Sequence, residues 1–234
     1  MTASYFVTGT DTEVGKTFVS AALLARAGQL GLRSAAFKPV AAGADATPAG
    51  LRNEDALTLM AAANLELSYR LVNPICLAPA IAPHIAASEA GVELSVAGLM
   101  DHARHFFAVP ADFRLVEGAG GWKVPLNGSE TLADFAVALG LPVILVVAMR
   151  LGCISHALLT AEAIASAGLP LAGWVANQGA GPRMARHGEN LATLAALLPA
   201  PLLGELPQVA GGDWRLAATH LRLPEGLEPD GQRG

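Results

Sequence analysis

The sequence predicts an α/β fold, a mainly parallel sheet with helices on both faces. Three observations predict it. Short apolar runs recur along the chain and end in glycine or polar residues. Helical patterns follow most of them, and strand–helix alternation is the signature of parallel strands joined by crossover helices. The run 143–148 is apolar without alternation, as a strand covered on both faces must be.

Taken in order, residues 5–8 read as the first strand and 16–30 as the helix after it. Residues 35–40 form a second strand, and 53–63 a helix with acids in its first turn, where they complement the dipole. Residues 95–107 continue as a helix and 113–116 as a strand ending in an acid. The pairs 131–139 with 143–148, and 155–167 with 171–176, repeat the helix-then-strand pattern. Residues 184–197 are a last helix, and 201–203 a sixth strand. The segment 177–187, rich in glycine and polar residues, is either a mobile flap or a long loop. A single domain over 1–220 is expected, with a flexible tail over 221–234.

Composition bounds what such a domain does. The chain has 234 residues, 53% hydrophobic and 15% charged, enough apolar matter for a large core. A formal charge of −5 without a long basic run argues against a nucleic-acid partner. The most apolar run, 141–149, ends at Arg150 and is too short to cross a membrane. No signal peptide is read at the start, and Cys76 and Cys153 lack metal-type spacing. A cytoplasmic protein is the resulting expectation.

In a parallel sheet the C-terminal ends of all strands share one edge, where ligands bind. The residues just after each strand should therefore meet: 9–17, Lys38, 117–121, 150–155 and Asn177. The run Gly9-Thr10-Asp11-Thr12-Glu13-Val14-Gly15-Lys16-Thr17 follows a strand and opens a helix. Backbone N–H groups of such a loop cradle phosphate, Lys16 reaches the β/γ-phosphates, and the Thr17 hydroxyl suits Mg²⁺. Five residues separate Gly9 from Gly15, one more than the usual spacing. With this loop, the fold class is of the P-loop NTPase type.

The other edge residues have two readings each. Lys38 is either a surface lysine lying along its neighbours or a cation at the ligand edge. Asp55 either complements a helix dipole or binds a metal. Glu117 either ends a strand before a tight glycine turn or reaches an Mg²⁺ held by Thr17, with 118–121 letting backbone approach a ligand. Asn177 is either a turn residue or a reader of an adenine edge. Ser155 reads as a helix N-cap or as part of an anion site. The six histidines are scattered, and none is assigned to catalysis.

These residues together resemble the dethiobiotin synthetase family. The matching pieces are 5–17, Phe37-Lys38-Pro39-Val40, Arg52-Asn53-Glu54-Asp55-Ala56, 116–122, Leu151-Gly152-Cys153-Ile154, 172–177 and Leu203-Gly204-Glu205-Leu206-Pro207. The irregular spacing of the phosphate loop is itself the family's form. The resemblance implies an enzyme that closes the ureido ring of dethiobiotin from 7,8-diaminopelargonic acid, CO₂ and MgATP, as a cytoplasmic homodimer. It implies that Lys16, Lys38 and Thr17 are catalytic, and that Thr17, Asp55 and Glu117 hold Mg²⁺. The nucleotide would meet Glu13, Val14, Gly15, Lys16, Thr17, Phe18, Gly118, Ala119 and Gly120, with Asn177, Leu206 and Pro207 at the adenine. Thr12, Ala42, Gly152, Cys153 and Ser155 would contact substrate, the last three receiving its carboxylate across the dimer interface.

Two positions depart from the family's pattern: Ala42 stands where many relatives carry a small hydroxyl residue, and Ser155 where asparagine is common. The chief competing reading is a switch ATPase of the septum-positioning or plasmid-partition type, which shares the fold. Such loops usually carry an extra lysine near their start, where this chain has Thr8, Gly9 and Thr10.

Overall fold

The computed structural model describes residues 2–224, 226 and 227. Its elements run β1 (Ala3–Gly9), α1 (Lys16–Gln29), β2 (Ser34–Phe37), β3 (Val40–Ala42), β4 (Ala44–Thr47), β5 (Gly50–Asn53), α2 (Glu54–Ala62), α3 (Tyr69–Val72), β6 (Ile75–Leu77), α4 (Pro83–Glu89), α5 (Val96–Phe107), β7 (Phe113–Glu117), α6 (Leu132–Leu139), β8 (Val143–Ala148), α7 (Cys153–Ser166), β9 (Leu171–Asn177), α8 (His187–Leu197), β10 (Leu202–Leu206) and α9 (Trp214–Ala217). A six-stranded sheet in the order β10-β9-β8-β1-β7-β2 forms the centre, and all its pairings are parallel. The expected fold class is therefore the observed one.

The sheet is apolar on both faces because both are covered. Tyr5, Val7, Leu115, Ile144 and Val175 pack with Leu23 and Leu24 of α1 in one buried cluster. Phe6, Phe37, Val116 and Val143 pack with Leu99 and Phe106 of α5 and Phe135 of α6 in another. Alternate residues of one strand thus serve opposite cores: Val7 faces the first cluster and Phe6 the second. Phe37 stacks on Phe106 with ring centroids 5.1 Å apart. Burying one such aromatic side chain contributes about 1.5–3 kcal/mol, so this contact helps to hold α5 against β2.

Most expected elements match to within one or two residues, and the larger departures begin at Lys38. The strand expected over 35–40 breaks at Lys38-Pro39: β2 stays in the main sheet, while β3 turns away to pair with β6. Pro39 has no N–H to give a ladder, and the Lys38 N–H goes to the Val72 carbonyl at 2.8 Å. Helix α7 begins at Cys153 rather than Ser155, because Gly152 (φ 96°) supplies the left-handed entry and Cys153 N–H closes a turn on the Arg150 carbonyl. Ser155 is thus an exposed residue of the first turn and not the N-cap. Helix α8 starts at His187, after Arg186 at φ 54°. Strand β10 extends to Leu206, two residues of it carrying on past 204 beside β9.

The hairpin β4–β5, the β3–β6 pair and the helices α3 and α4 were not expected. At the start of the expected tail, Leu221 and Leu223 are buried against the α1 core, and Arg222 N–H donates to the Leu203 carbonyl at 2.9 Å. Residue 225 and residues 228–234 of that tail lie outside the described residues. Among the described residues no helix is long and apolar enough to cross a membrane.

Candidate active site

The C-terminal edge of the sheet gathers the functional side chains by register. Val7 of β1 pairs with Glu117 of β7, and Gly9 pairs with Val146 of β8. Strand β1 therefore delivers the loop 10–15 between the ends of two neighbours. Lys38 follows β2, beside β7, and Asn177 closes β9, beside β8.

The phosphate loop is shaped by contacts that few residues tolerate. Gly15 has φ 84°, and a Cβ there would lie 2.1 Å from Asn177 Nδ2. Asn177 is buried and donates from Nδ2 to the Val14 carbonyl at 2.9 Å, so the end of β9 fixes the loop from beneath. Glu13 is a non-glycine residue at φ 57°. The Lys16 ammonium folds back and donates to the Asp11 carbonyl at 3.1 Å. An exposed pair ties the loop to the end of β8, Arg150 Nη2 donating to Asp11 Oδ2 at 3.1 Å. Such exposed pairs contribute about 0–1 kcal/mol. The loop's form therefore rests on Gly15 and Asn177.

The acids and the second lysine meet at the end of β7. Thr17 Oγ1 donates to Glu117 Oε1 at 2.8 Å. Lys38 Nζ donates to the same oxygen at 2.6 Å, lies 3.1 Å from Asp55 Oδ2, and reaches the Gly118 carbonyl at 3.3 Å. Lys38 is 2% exposed and Glu117 1%. Burial of either charge alone would be severely unfavourable, so each group is kept inside by the other.

Electrostatics separate the two lysines. Burial pushes Lys16 down to about 8, the nearby Lys38 adds to this, and Glu117, Asp55 and Asp11 oppose it. Burial likewise works against charge on Lys38, but Glu117 and Asp55 outweigh it and hold its pKa above the ordinary lysine value. Burial works against the Asp55 carboxylate too, and Lys38 with the Thr17 hydroxyl outweighs that, holding its pKa below the usual range.

The donor set suits a hard divalent cation. Glu117 Oε2 is buried without a hydrogen-bond partner among the described residues, a carboxylate lone pair left to be satisfied. The Thr17 hydroxyl bonds to this carboxylate and Asp55 shares Lys38 with it, so the three supply oxygen donors of the kind that Mg²⁺ selects.

The remaining expected residues fall into two groups. Val14, Gly15, Phe18, Gly118, Ala119 and Gly120 surround the loop and the Glu117 turn, partly or wholly buried, whereas Thr12 and Glu13 are exposed. Leu206 is buried and pairs with Asn177, which sets Pro207 beside the end of β9. Ala42 ends β3, partly exposed, and its carbonyl accepts from Asn53 Nδ2 at 3.3 Å. Gly152 and Ser155 are exposed and Cys153 is buried at the start of α7, in a segment whose Leu151 is 94% exposed. The Arg150–Asp11 pair ties this segment to the phosphate loop.

Asp11, whose carbonyl receives Lys16, was not expected among the site residues. Nor were Tyr69 and Asn73, which support Lys38 and the start of α2 from behind. For these the only sequence signal was the dipeptide Asn73-Pro74, a turn marker that says nothing of the site.

Comparison with known proteins places the chain. The family described as AAA domain matches residues 3–214. The ATP-dependent dethiobiotin synthetase of Pseudomonas paraeruginosa (strain PA7) is 59% identical over 220 residues, covering 94% of this chain and 96% of that one. The enzyme of the same name from Cellvibrio japonicus is 53% identical with the same coverage. Among solved structures, the MinC:MinD cell division protein complex of Aquifex aeolicus is similar with a TM-score of 0.57 at 14% identity, covering 92% of this chain and 86% of that one. The septum site-determining protein MinD of Pyrococcus horikoshii, complexed with Mg-ADP, follows at 0.51 and 17%, with the same coverage. At those identities the two structures establish the shared fold alone, so they do not favour the switch-ATPase reading. With relatives more than half identical over nearly all of its length, the chain belongs to the ATP-dependent dethiobiotin synthetases, ATP-using ligases of biotin biosynthesis.

Proposed function

We propose that this enzyme forms the ureido ring of dethiobiotin from 7,8-diaminopelargonic acid and CO₂, with MgATP converted to ADP and phosphate. The observation that carries the reading is the Thr17, Lys38, Asp55 and Glu117 constellation at the mouth of the phosphate loop. It is built for charge neutralisation, with no nucleophile–base pair within it.

The chemistry asks for that kind of site. An amine nitrogen must be neutral to attack CO₂. Holding an alkylamine of pKa ~10.4 neutral at pH 7 costs roughly 4–5 kcal/mol. Lys16 and Lys38 reduce that cost by disfavouring a third ammonium nearby. Attack forms the N–C bond and releases the amine proton, leaving an anionic carbamate. A carbamate oxygen then bonds to the γ-phosphorus of ATP while the bond to ADP breaks. The second amine attacks the carbamoyl carbon, closes the ring and expels phosphate.

Phosphoryl transfer of this kind needs positioning and charge neutralisation more than covalent help. Lys16 would hold the β/γ-phosphates. Lys38 would stabilise charge shared by carbamate and transferring phosphoryl group. Thr17, Asp55 and Glu117 would hold Mg²⁺, which when bound offsets phosphate charge. Asn177 has a second amide hydrogen beyond the one given to Val14, and with Leu206 and Pro207 it would border the adenine.

The carboxylate end would lie at Gly152, Cys153 and Ser155, with Thr12 and Ala42 beside the diamine. This reading takes the enzyme as a homodimer, with the carboxylate received across the interface where Leu151, Gly152 and Ser155 are exposed. A cytoplasmic setting fits an ATP-consuming enzyme with free thiols at Cys76 and Cys153. Incubating purified protein with diamine, bicarbonate and MgATP should yield dethiobiotin by mass detection; no such product from folded enzyme would overturn the assignment.

A further inference from the structure

The groups that fix Lys38 and the first turn of α2 converge on one tyrosine. Tyr69 Oη accepts a hydrogen bond from the Asn53 N–H at 2.8 Å and donates to Asn73 Oδ1 at 2.9 Å. Asn73 is 2% exposed and donates from Nδ2 to the Lys38 carbonyl at 2.7 Å and to the Ile75 carbonyl at 3.2 Å. The Lys38 N–H donates to the Val72 carbonyl at 2.8 Å. Both backbone polar groups of Lys38 are thus held by the end of α3. That matters because Pro39 ends the β2 ladder at this point, so no neighbouring strand defines where Lys38 sits.

Asn53 carries the other arm. It caps α2, accepting from Ala56 N–H at 3.2 Å, and its Nδ2 donates to the Ala42 and Gly43 carbonyls at 3.3 and 3.1 Å. Asp55 lies in the first turn of that helix. The Arg52 guanidinium lies 4.2 Å above the Tyr69 ring and holds it in place. A continuous chain of hydrogen bonds therefore runs from the Lys38 backbone through Asn73 and Tyr69 to the helix that bears Asp55.

We propose that Tyr69 and Asn73 are positioning residues for phosphoryl transfer, a bracket that sets the distance between Lys38 and Asp55. The proposal rests on the reading that Lys38 and Asp55 act at the transferring phosphoryl group. Neither bracket side chain bonds to the phosphate loop, so nucleotide affinity should be insensitive to it. A preorganised cation displaced by a fraction of an ångström loses much of its value at developing charge.

The test is a double-mutant cycle of Tyr69→Phe with Lys38→Ala, read as kcat and as binding of a fluorescent ATP analogue against Mg²⁺ concentration. Tyr69→Phe keeps the ring beneath Arg52 and removes one hydroxyl. We expect its kcat to fall about tenfold with analogue affinity at saturating Mg²⁺ unchanged, and half-saturating Mg²⁺ to rise about threefold. In the Lys38→Ala background the same change should cost less than about threefold in kcat, because the lysine it positions is gone. Asn73→Ser, which shortens the arm to the Lys38 carbonyl, should behave the same way and serves if Tyr69→Phe does not fold. Equal losses in both backgrounds mark a merely structural role and overturn the proposal. Wild-type kcat for Tyr69→Phe beside a slow Lys38→Ala overturns the bracket alone. Wild-type kcat for Lys38→Ala overturns the reading of Lys38 and the bracket with it.

Discussion

The ends of β7 and β8 lie on either side of β1 at the same sheet edge, yet they are finished differently. At β7, Glu117 is enclosed and bonded to Thr17 and Lys38. At β8, the segment 150–155 leaves Leu151 and Ser155 in solvent, and the exposed Arg150–Asp11 pair ties it to the phosphate loop. Buried, mutually paired charge is rigid and costly to disturb, whereas an exposed helix entrance is soft. The contrast teaches that one stretch of the sheet edge presents buried, paired charge and the other an exposed helix entrance, which the proposed function assigns to phosphoryl transfer and to the substrate carboxylate respectively.

Substitutions at the two ends should therefore differ in size and in kind. The largest effect belongs to Lys16→Ala, which on the proposed reading removes the cation at the β/γ-phosphates. Turnover should fall to background with the circular dichroism spectrum unchanged, and wild-type turnover at saturating ATP would remove Lys16 from the site. Next comes Lys38→Ala, with a rate loss of about 10²–10³ and ATP still bound through the loop amides and Lys16. Single-turnover phosphate release and ATP binding, measured together, check it; equal losses in both would make Lys38 a binding group only.

A smaller effect sharpens the difference between the two lysines. Lys16 is held down to about 8, below its unfolded value of about 10.4. Across that window the unfolded chain binds more protons, so the Lys16 contribution makes the free enzyme more stable as pH rises from about 8. ATP wants the ammonium form, so its affinity should move the other way and weaken above pH 8. A loss on the order of tenfold between pH 7.5 and 9.5 is expected by calorimetry, flattened in Lys16→Arg. An equally steep profile in the arginine variant would assign the effect elsewhere.

At the β8 end the effect should be small and confined to substrate. Ser155→Ala should raise KM for the diamine by a few-fold with kcat retained, as uniform binding predicts. A drop in kcat at unchanged KM would place Ser155 with the chemistry instead.

Much of the β7 end was legible because its residues follow from backbone rules. Gly15-Lys16-Thr17 announces itself between a strand and a helix, and Lys38 and Glu117 follow from the common edge of parallel strands. Asp55 does not, because it belongs to a helix outside that rule. Its approach to Lys38 depends on Asn53, Tyr69 and Asn73, joined across elements too short to show a period. The stretch holding α3, β6 and α4 stayed unread for the same reason, each element running from three to seven residues. The reading of Ser155 as a cap failed because a turn closed by Arg150 and Gly152 starts the helix two residues earlier, and serine is a common cap wherever it stands.

The most direct measurement is phosphate release from ATP by the wild-type enzyme with diamine, bicarbonate or Mg²⁺ omitted in turn. If the β7 end transfers phosphate only to a carbamate, release should require both diamine and bicarbonate and match dethiobiotin formed one to one. Equal release with and without diamine would contradict the account, since phosphate would then be leaving for water rather than for a carbamate held at Lys38.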